Sequence, residues 1–326
     1  MQAVPSPPDS PLRPFVARTG VLIVDGGLAT ELEARGYRLG DGLWSARLLD
    51  TAPLTVQQVH ADYLAAGADC IITASYQASL PGFVDHGYSQ DQAVALLHRS
   101  VELALNAREA FWAQADNRTG RLRPLVAASV GPYGAYLADG SEYTGSYDLS
   151  EDELLAFHRP RWQLLAASRA DLLACETIPS AREARVLARL LIETPHVVAW
   201  VSFSCRDGQH ISDGTPLAEA MAPFVGLPQV VALGINCTPL RHVLPLTRTV
   251  RRLSAKPLIV YPNCAESHDR QTRRWGVQAR PGEFASAAQT WQRAGAVLIG
   301  GCCHTTPGHI AALRAGLILG RAEPRP

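Results

Sequence analysis

The chain has 326 residues, 47% of them hydrophobic and 18% charged, with 30 basic and 30 acidic side chains. That balance leaves no global field to draw it to nucleic acid or to an anionic membrane, so small molecules are the expected partners. No apolar run approaches the ~20 residues that cross a bilayer, and the start lacks the basic and then apolar segments of a secretory leader, so the expected compartment is the cytoplasm.

Residues 1–14 are proline-rich and are expected to form a disordered lead-in. Residues 15–320 read as one domain and 321–326 as a tail. The first strand is expected at 21–24, ending at Asp25-Gly26-Gly27, with a helix over 29–34, a loop carrying Trp44 and a helix over 55–66. A second strand at 70–73 runs out into Ala74-Ser75-Tyr76. A long helix over 89–115 then follows, with apolar positions at Ala93, Leu96, Leu97, Val101 and Ala104 on helical spacing.

The third strand, 125–130, ends in Gly131-Pro132-Tyr133-Gly134 and opens a long loop to about residue 149. Loops of that length without regular structure are often functional. Ser150 with Glu153 reads as a capping box for a helix reaching 168. The fourth strand, 171–175, ends on Glu176, and the fifth, 197–203, leads to a polar loop over 207–216. The sixth, 230–235, ends at Asn236-Cys237, and the seventh, 258–261, ends at Pro262-Asn263-Cys264. A loop containing Trp275 precedes a helix over 282–293. The eighth strand, 296–299, runs into Gly300-Gly301-Cys302-Cys303, and the last helix covers 306–319.

Eight strands alternating with helices in this length fit a single (β/α)8, TIM-type barrel of the α/β class. A doubly wound sheet would carry a glycine-rich phosphate loop after its first strand, and Asp25-Gly26-Gly27-Leu28 is not one. In a barrel the C-terminal strand ends surround one mouth, where the chemistry sits. Those ends gather Asp25, Thr73, Ser75, Glu176, Asn236, Cys237, Cys264, Cys302 and Cys303.

Seven cysteines, an odd number, do not suggest a disulfide framework, which turns attention to metal binding or thiol chemistry. Successive side chains of a regular strand point to opposite faces, so neighbouring thiols cannot share a partner there. The two glycines tolerate dihedral angles other residues avoid, which would let Cys302 and Cys303 turn onto one metal. With Cys237 they offer three thiolates, the ligand count of a catalytic zinc site with one open position. The alternative is an inert buried Cys237 beside a vicinal disulfide between Cys302 and Cys303. Cys70, Cys175 and Cys205 read as core residues. Cys264 is read as packing by default, with a spare thiol or a fourth ligand as the alternatives.

Asp25 and Glu176 would hold a ligand ammonium group, or else cap a helix or pair with an arginine. Thr73 and Ser75 offer hydroxyls to fix a ligand carboxylate or position the ligand. Trp44 and Tyr76 could face a methylated cation.

The motifs Asp25-Gly26-Gly27-Leu28-Ala29-Thr30-Glu31-Leu32, Gly234-Ile235-Asn236-Cys237, Tyr261-Pro262-Asn263 and Gly300-Gly301-Cys302-Cys303 resemble the homocysteine S-methyltransferase family. Within it they are similar to the branch that uses S-methylmethionine or S-adenosylmethionine. Segments Ile72-Thr73-Ala74-Ser75-Tyr76-Gln77, Gly131-Pro132-Tyr133-Gly134-Ala135 and Leu173-Ala174-Cys175-Glu176-Thr177 look alike too, and the resemblance spans about residues 20–318. It implies Zn2+ at Cys237, Cys302 and Cys303 in the barrel mouth. It also implies homocysteine contacts at Asp25 and Glu176, with Thr73 matching a contact position in the betaine-using branch. Gly26, Ser75 and Asn236 complete the expected substrate shell, with Trp44 and Tyr76 toward the donor. Cys264 departs from the family, which commonly has a small residue such as serine there.

The expected reaction is attack of a zinc-bound homocysteine thiolate on the methyl of a sulfonium donor, giving methionine without a separate protein base. The alternatives are a betaine-type donor, or a zinc and thiol redox sensor without catalysis. Neither the oligomeric state nor the preferred donor follows from the residues.

Overall fold

The computed structural model describes residues 10–39, 42–265, 268–269, 274–276 and 278–319. Eight strands run parallel: β1 Leu22–Ile23, β2 Cys70–Ile72, β3 Leu125–Val130, β4 Leu172–Ile178, β5 Ala199–Phe203, β6 Val230–Asn236, β7 Leu258–Tyr261 and, after a short hairpin of β8 His268–Asp269 and β9 Arg274–Trp275, β10 Ala296–Ile299. Each barrel strand pairs with its chain neighbour, and β10 pairs with both β7 and β1. The remaining seam, between β1 and β2, is closed by the bridge Val24↔Cys70 and by the Asp69 amide donating to Ile23 O at 2.7 Å. The expected TIM-type barrel is the fold observed.

The strands are apolar on both faces because both faces are buried, one in the barrel and one under helices. In β4, Leu172 and Ala174 belong to the inner cluster with Trp200, Ile259 and Tyr261, while Leu173 and Cys175 pack outward. The period of two therefore carries Glu176 to the inner face at the mouth, and Tyr261 of β7 lies inside by the same alternation.

At the opposite end the expected lead-in needs correction. Residues 1–9 lie outside the described residues, but Leu12 is 1% exposed and a helix begins at Arg13, running to Thr19. Leu12 and Phe15 join the inner cluster with Leu22, Leu125, Leu172 and Val198, closing the N-terminal end of the barrel. The long helix and the capping box come out as expected, at Gln90–Ala113 and at Ser150 and Glu153 of Glu151–Ala166. The expected tail beyond 320 lies outside the described residues. Among the described residues no helix is long and apolar enough to cross a membrane.

Candidate metal and substrate site

β10 stops at Ile299, so Cys302 and Cys303 sit in the turn beyond it and escape strand alternation. The glycines before them act differently from the expectation, since neither takes a positive φ. They are needed because the backbone passes too close to its neighbours. A Cβ on Gly300 would lie 2.7 Å from Val24 Cβ, and one on Gly301 would lie 2.4 Å from Thr305 Cγ2. The left-handed residues are instead His304 at φ 62° and, across the mouth, Cys237 at φ 45°.

Hydrogen bonds fix the turn on three sides. The Gly301 amide donates to Asp25 O at 3.0 Å, that of Cys302 to Pro262 O at 2.8 Å, and that of Cys303 to Asn263 Oδ1 at 3.2 Å. The Sγ atoms of Cys237, Cys302 and Cys303 then all lie within 4.8 Å of one another. Cys237 and Cys302 are joined as a disulfide across 65 residues, so the bridge is not the vicinal one considered from sequence. When reduced, three soft sulfur donors this close fit a single Zn2+, and fewer than four protein ligands is the pattern of a catalytic rather than a structural site. Cys264 stands apart from this cluster, its thiol donating to Ala279 O at 3.0 Å and lying 3.2 Å from His309 Nε2.

The cluster opens on a pocket of about 120 Å³ lined by Asp25, Gly26, Thr73, Tyr76, Glu176, Cys237, Cys302 and Cys303 among others. Asp25 is buried, and Asp25 Oδ2 accepts the Ile72 amide at 2.8 Å. Burial is the main cause that pushes its carboxyl well above the usual range. Glu176 is likewise pushed up by burial, to about 7. Two hydroxyls hold that carboxylate, Ser129 on one oxygen and Tyr261 at 3.1 Å on the other. Tyr261 is itself fixed by Trp200 Nε1 at 3.1 Å and Ser202 Oγ at 2.6 Å. Ser129 is not singled out by the sequence, and Tyr261 enters there only within the Tyr261-Pro262-Asn263 motif, without its role on Glu176.

Two expected substrate contacts lie behind the pocket wall. Ser75 is fully buried and donates to Ser129 O at 2.7 Å. Asn236 is also fully buried, and its side chain is spent on Thr177, accepting from the amide and donating to the hydroxyl, each at 2.7 Å. Neither is among the residues that line the pocket, and the bonds they make hold Ser129 and Thr177. Thr73 does face the pocket, but its hydroxyl accepts from the Ser129 amide at 3.0 Å and contacts Ser75 Oγ at 2.7 Å. Ser75 gives its only hydroxyl proton to Ser129 O, so Thr73 must donate to Ser75 and keeps only a lone pair for a ligand. That suits an ammonium group, not the carboxylate considered from sequence. Trp44 opens the turn Trp44–Arg47, and its side chain lies outside the described residues.

The loop after β3 forms one wall. Its turn Ser141–Tyr143 brings Glu142 and Tyr143 to the pocket, and Tyr143 Oη lies 3.6 Å from Cys303 Sγ. A buried network anchors this loop from behind. Glu183 accepts from the Tyr133 amide and from His158 Nε2, both at 2.6 Å, and from the Tyr147 hydroxyl. Burial, with Arg161 alongside, lowers the His158 pKa, so the imidazole is neutral and takes the Arg161 guanidinium at Nδ1.

A family model described as homocysteine S-methyltransferase matches residues 22–317. The chain is 49% identical to the homocysteine S-methyltransferase YbgG of Bacillus subtilis, covering 94% of this chain and 97% of that one. Its fold is similar to two crystal structures of the homocysteine methyltransferase MmuM of Escherichia coli. The oxidised form matches at a TM-score of 0.85 and 48% identity, covering 94% of this chain and 99% of that one. The metallated form matches at 0.84 and 49% over the same shares.

Proposed function

Because the chain belongs to the homocysteine S-methyltransferase family, and so is a methyltransferase acting on homocysteine, we propose that its donor is a sulfonium, S-methylmethionine or S-adenosylmethionine, and its metal Zn2+ held by Cys237, Cys302 and Cys303. The observation that carries this reading is the clustering of three sulfur donors against a pocket lined by Asp25 and Glu176. Bound there, Zn2+ supplies the positive charge that keeps a substrate thiol ionised near neutral pH, below the ~8.5 of a free thiol, so the chain needs no general base of its own.

The chain's own residues handle the amino-acid end. Asp25 and Glu176 face the pocket from β1 and β4 and take the homocysteine ammonium, with the Thr73 lone pair as a third acceptor. Burial makes both carboxylates costly to ionise when the pocket is empty, and an arriving ammonium relieves that cost. The ligand's charge and the site's charge therefore appear together. Ser129 and Tyr261 fix the direction in which Glu176 presents its oxygens.

The homocysteine sulfur attacks the donor methyl carbon in line. The new S–C bond forms as the sulfonium S–C bond breaks, and its electron pair stays on the leaving sulfur. Two neutral thioethers result from S-methylmethionine, and neither needs a proton from the protein. The task of the barrel mouth is alignment and exclusion of water, which is where proximity contributes most. Only free thiols could hold the metal, so the proposed reaction requires Cys237 and Cys302 in the reduced state.

A donor panel on reduced, zinc-loaded enzyme tests the reading. Methionine should form from homocysteine with S-methylmethionine or S-adenosylmethionine and not with betaine. Turnover with betaine alone would refute the sulfonium assignment.

A further inference from the structure

We propose that Tyr143 protects the protein's own sulfur from the methyl donor, its hydroxyl donating to Cys303 Sγ, and that Glu183 is the positioning residue that holds it there. This rests on the reading above, in which Cys303 is a metal-bound thiolate and the donor carries an electrophilic methyl group.

The need follows from the chemistry. A thiolate is both a metal ligand and a nucleophile. The sulfurs of Cys237, Cys302 and Cys303 lie within 4.8 Å of one another beside one pocket, so a methyl donor seated there meets the protein's sulfurs as well as the substrate's. Cys303 is only partly buried and lines that pocket. Its attack would form an Sγ–CH3 bond as the donor S–C bond breaks, with the electron pair staying on the leaving sulfur. The product is an uncharged thioether, and zinc takes cysteine as thiolate, so one such event would disable the site.

Tyr143 answers this hazard. Its Oη lies 3.6 Å from Cys303 Sγ, within hydrogen-bond reach of a sulfur acceptor. An ionised sulfur has no proton to give, so the tyrosine hydroxyl is the donor. The bond occupies a lone pair and draws charge from the sulfur, which lowers its nucleophilicity. Hydrogen bonds to ligand atoms tune metal sites in this way.

One carboxylate clamps both ends of the loop that carries Tyr143. Glu183, in the helix Ala181–Glu193, is fully buried. It accepts from the Tyr133 amide at 2.6 Å, where the loop begins, and from the Tyr147 hydroxyl near its end. His158 Nε2 bonds the same carboxylate at 2.6 Å and fixes its direction. Between the two ends, Ser204 Oγ donates to Glu142 O at 3.0 Å, and the Tyr143 amide donates to Gly140 O at 3.0 Å. Glu183 does not line the pocket, so its effect on the chemistry passes through the loop.

The test uses reduced, zinc-loaded full-length enzyme without homocysteine, with mass spectrometry of peptides to follow methyl groups on each cysteine. Tyr143→Phe keeps the ring and removes the donor. With methyl iodide, which any accessible thiolate can attack, Cys303 of this variant should be methylated roughly fivefold faster than in wild type, the size expected for one hydrogen bond. S-methylmethionine should add the same methyl, and zinc should then be lost. Cys264 is the control: loosened packing would speed its methylation too, whereas a lost hydrogen bond at Cys303 leaves it unchanged. Glu183→Gln, with one carbonyl oxygen in place of two carboxylate oxygens, should show a smaller rise at Cys303 alone. Should that variant fail to fold, Tyr147→Phe, which frees one end of the clamp, decides the positioning role. Equal Cys303 rates in wild type and Tyr143→Phe, or parallel rises at Cys303 and Cys264, would overturn the proposal. A wild-type rate in the clamp variant would remove Glu183 from it. The methyl iodide comparison needs no sulfonium chemistry, so it decides the role of Tyr143 even if wild type makes no methionine and the donor reading falls.

Discussion

Asn236 and Thr177 are bonded to each other twice across the barrel mouth, through the Thr177 amide and hydroxyl, each at 2.7 Å. Thr177 has φ 59°, a conformation that a β-branched residue adopts only under constraint. The pair therefore ties the residue after Glu176 to the residue before Cys237. The carboxylate of Glu176 and the sulfur cluster are thus joined by one brace.

Removing that brace has a predictable cost. Asn236→Ala deletes two buried hydrogen bonds and strands the Thr177 amide, which should destabilise the fold by about 2–4 kcal/mol. Urea denaturation measures the loss. Zinc retention should weaken in the same variant because Cys237 loses its fixed neighbour. An unchanged midpoint would show that the double bond is not a stabilising contact.

Glu176 should give homocysteine recognition a pH dependence. Its pKa is pushed up to about 7 by burial, so the carboxylate gains a proton as pH falls through that value. The KM for homocysteine should therefore rise below pH 7. Tyr261→Phe removes a hydrogen bond to the ionised form and should move the inflection upward. The stability effect has the opposite sign to that of a paired carboxylate. With its folded pKa above the unfolded value of 4.5, Glu176 adds stability as pH drops from 7 toward 4.5 and removes it above 7. A pH-independent KM in wild type would count against the role of Glu176.

His60 should set part of the acid limit of the fold. It is fully buried with neither ring nitrogen hydrogen-bonded among the described residues, and burial lowers its pKa to about 4. Below the unfolded value of 6.5 the unfolded chain takes a proton that the native state refuses. Stability present above pH 6.5 is then lost progressively toward pH 4, by up to about 3 kcal/mol at 1.36 kcal/mol per unit. His60→Leu should flatten that slope between pH 6.5 and 4. An identical slope in the variant would assign the acid sensitivity elsewhere.

Much of this molecule is legible in its residues. β3, β7 and β10 occupy the expected spans because each is a short apolar run stopped by glycine, proline or a polar pair. The three sulfurs of the cluster are also legible, since barrel topology collects strand ends whatever their separation in sequence. Other features are not, and the reasons are local. The helix Arg13–Thr19 is hidden by surrounding prolines, and its value lies in non-local burial of Leu12 and Phe15 under the barrel. Gly300 and Gly301 read as flexible residues, whereas the neighbours that forbid a Cβ are Val24 and Thr305, far away in the chain. Ser75 and Asn236 sit at strand ends as expected, but one residue of register decides whether a side chain faces ligand or wall. Glu142 and Tyr143 belong to a loop, where no periodicity tells which way a side chain points.

The central claim is that Cys237, Cys302 and Cys303 hold zinc with a position left for the homocysteine sulfur. X-ray absorption at the zinc edge of reduced, loaded enzyme tests it directly. The account predicts three sulfur neighbours at ~2.3 Å without substrate and four after homocysteine is added. A sulfur count that stays the same on adding homocysteine would contradict it.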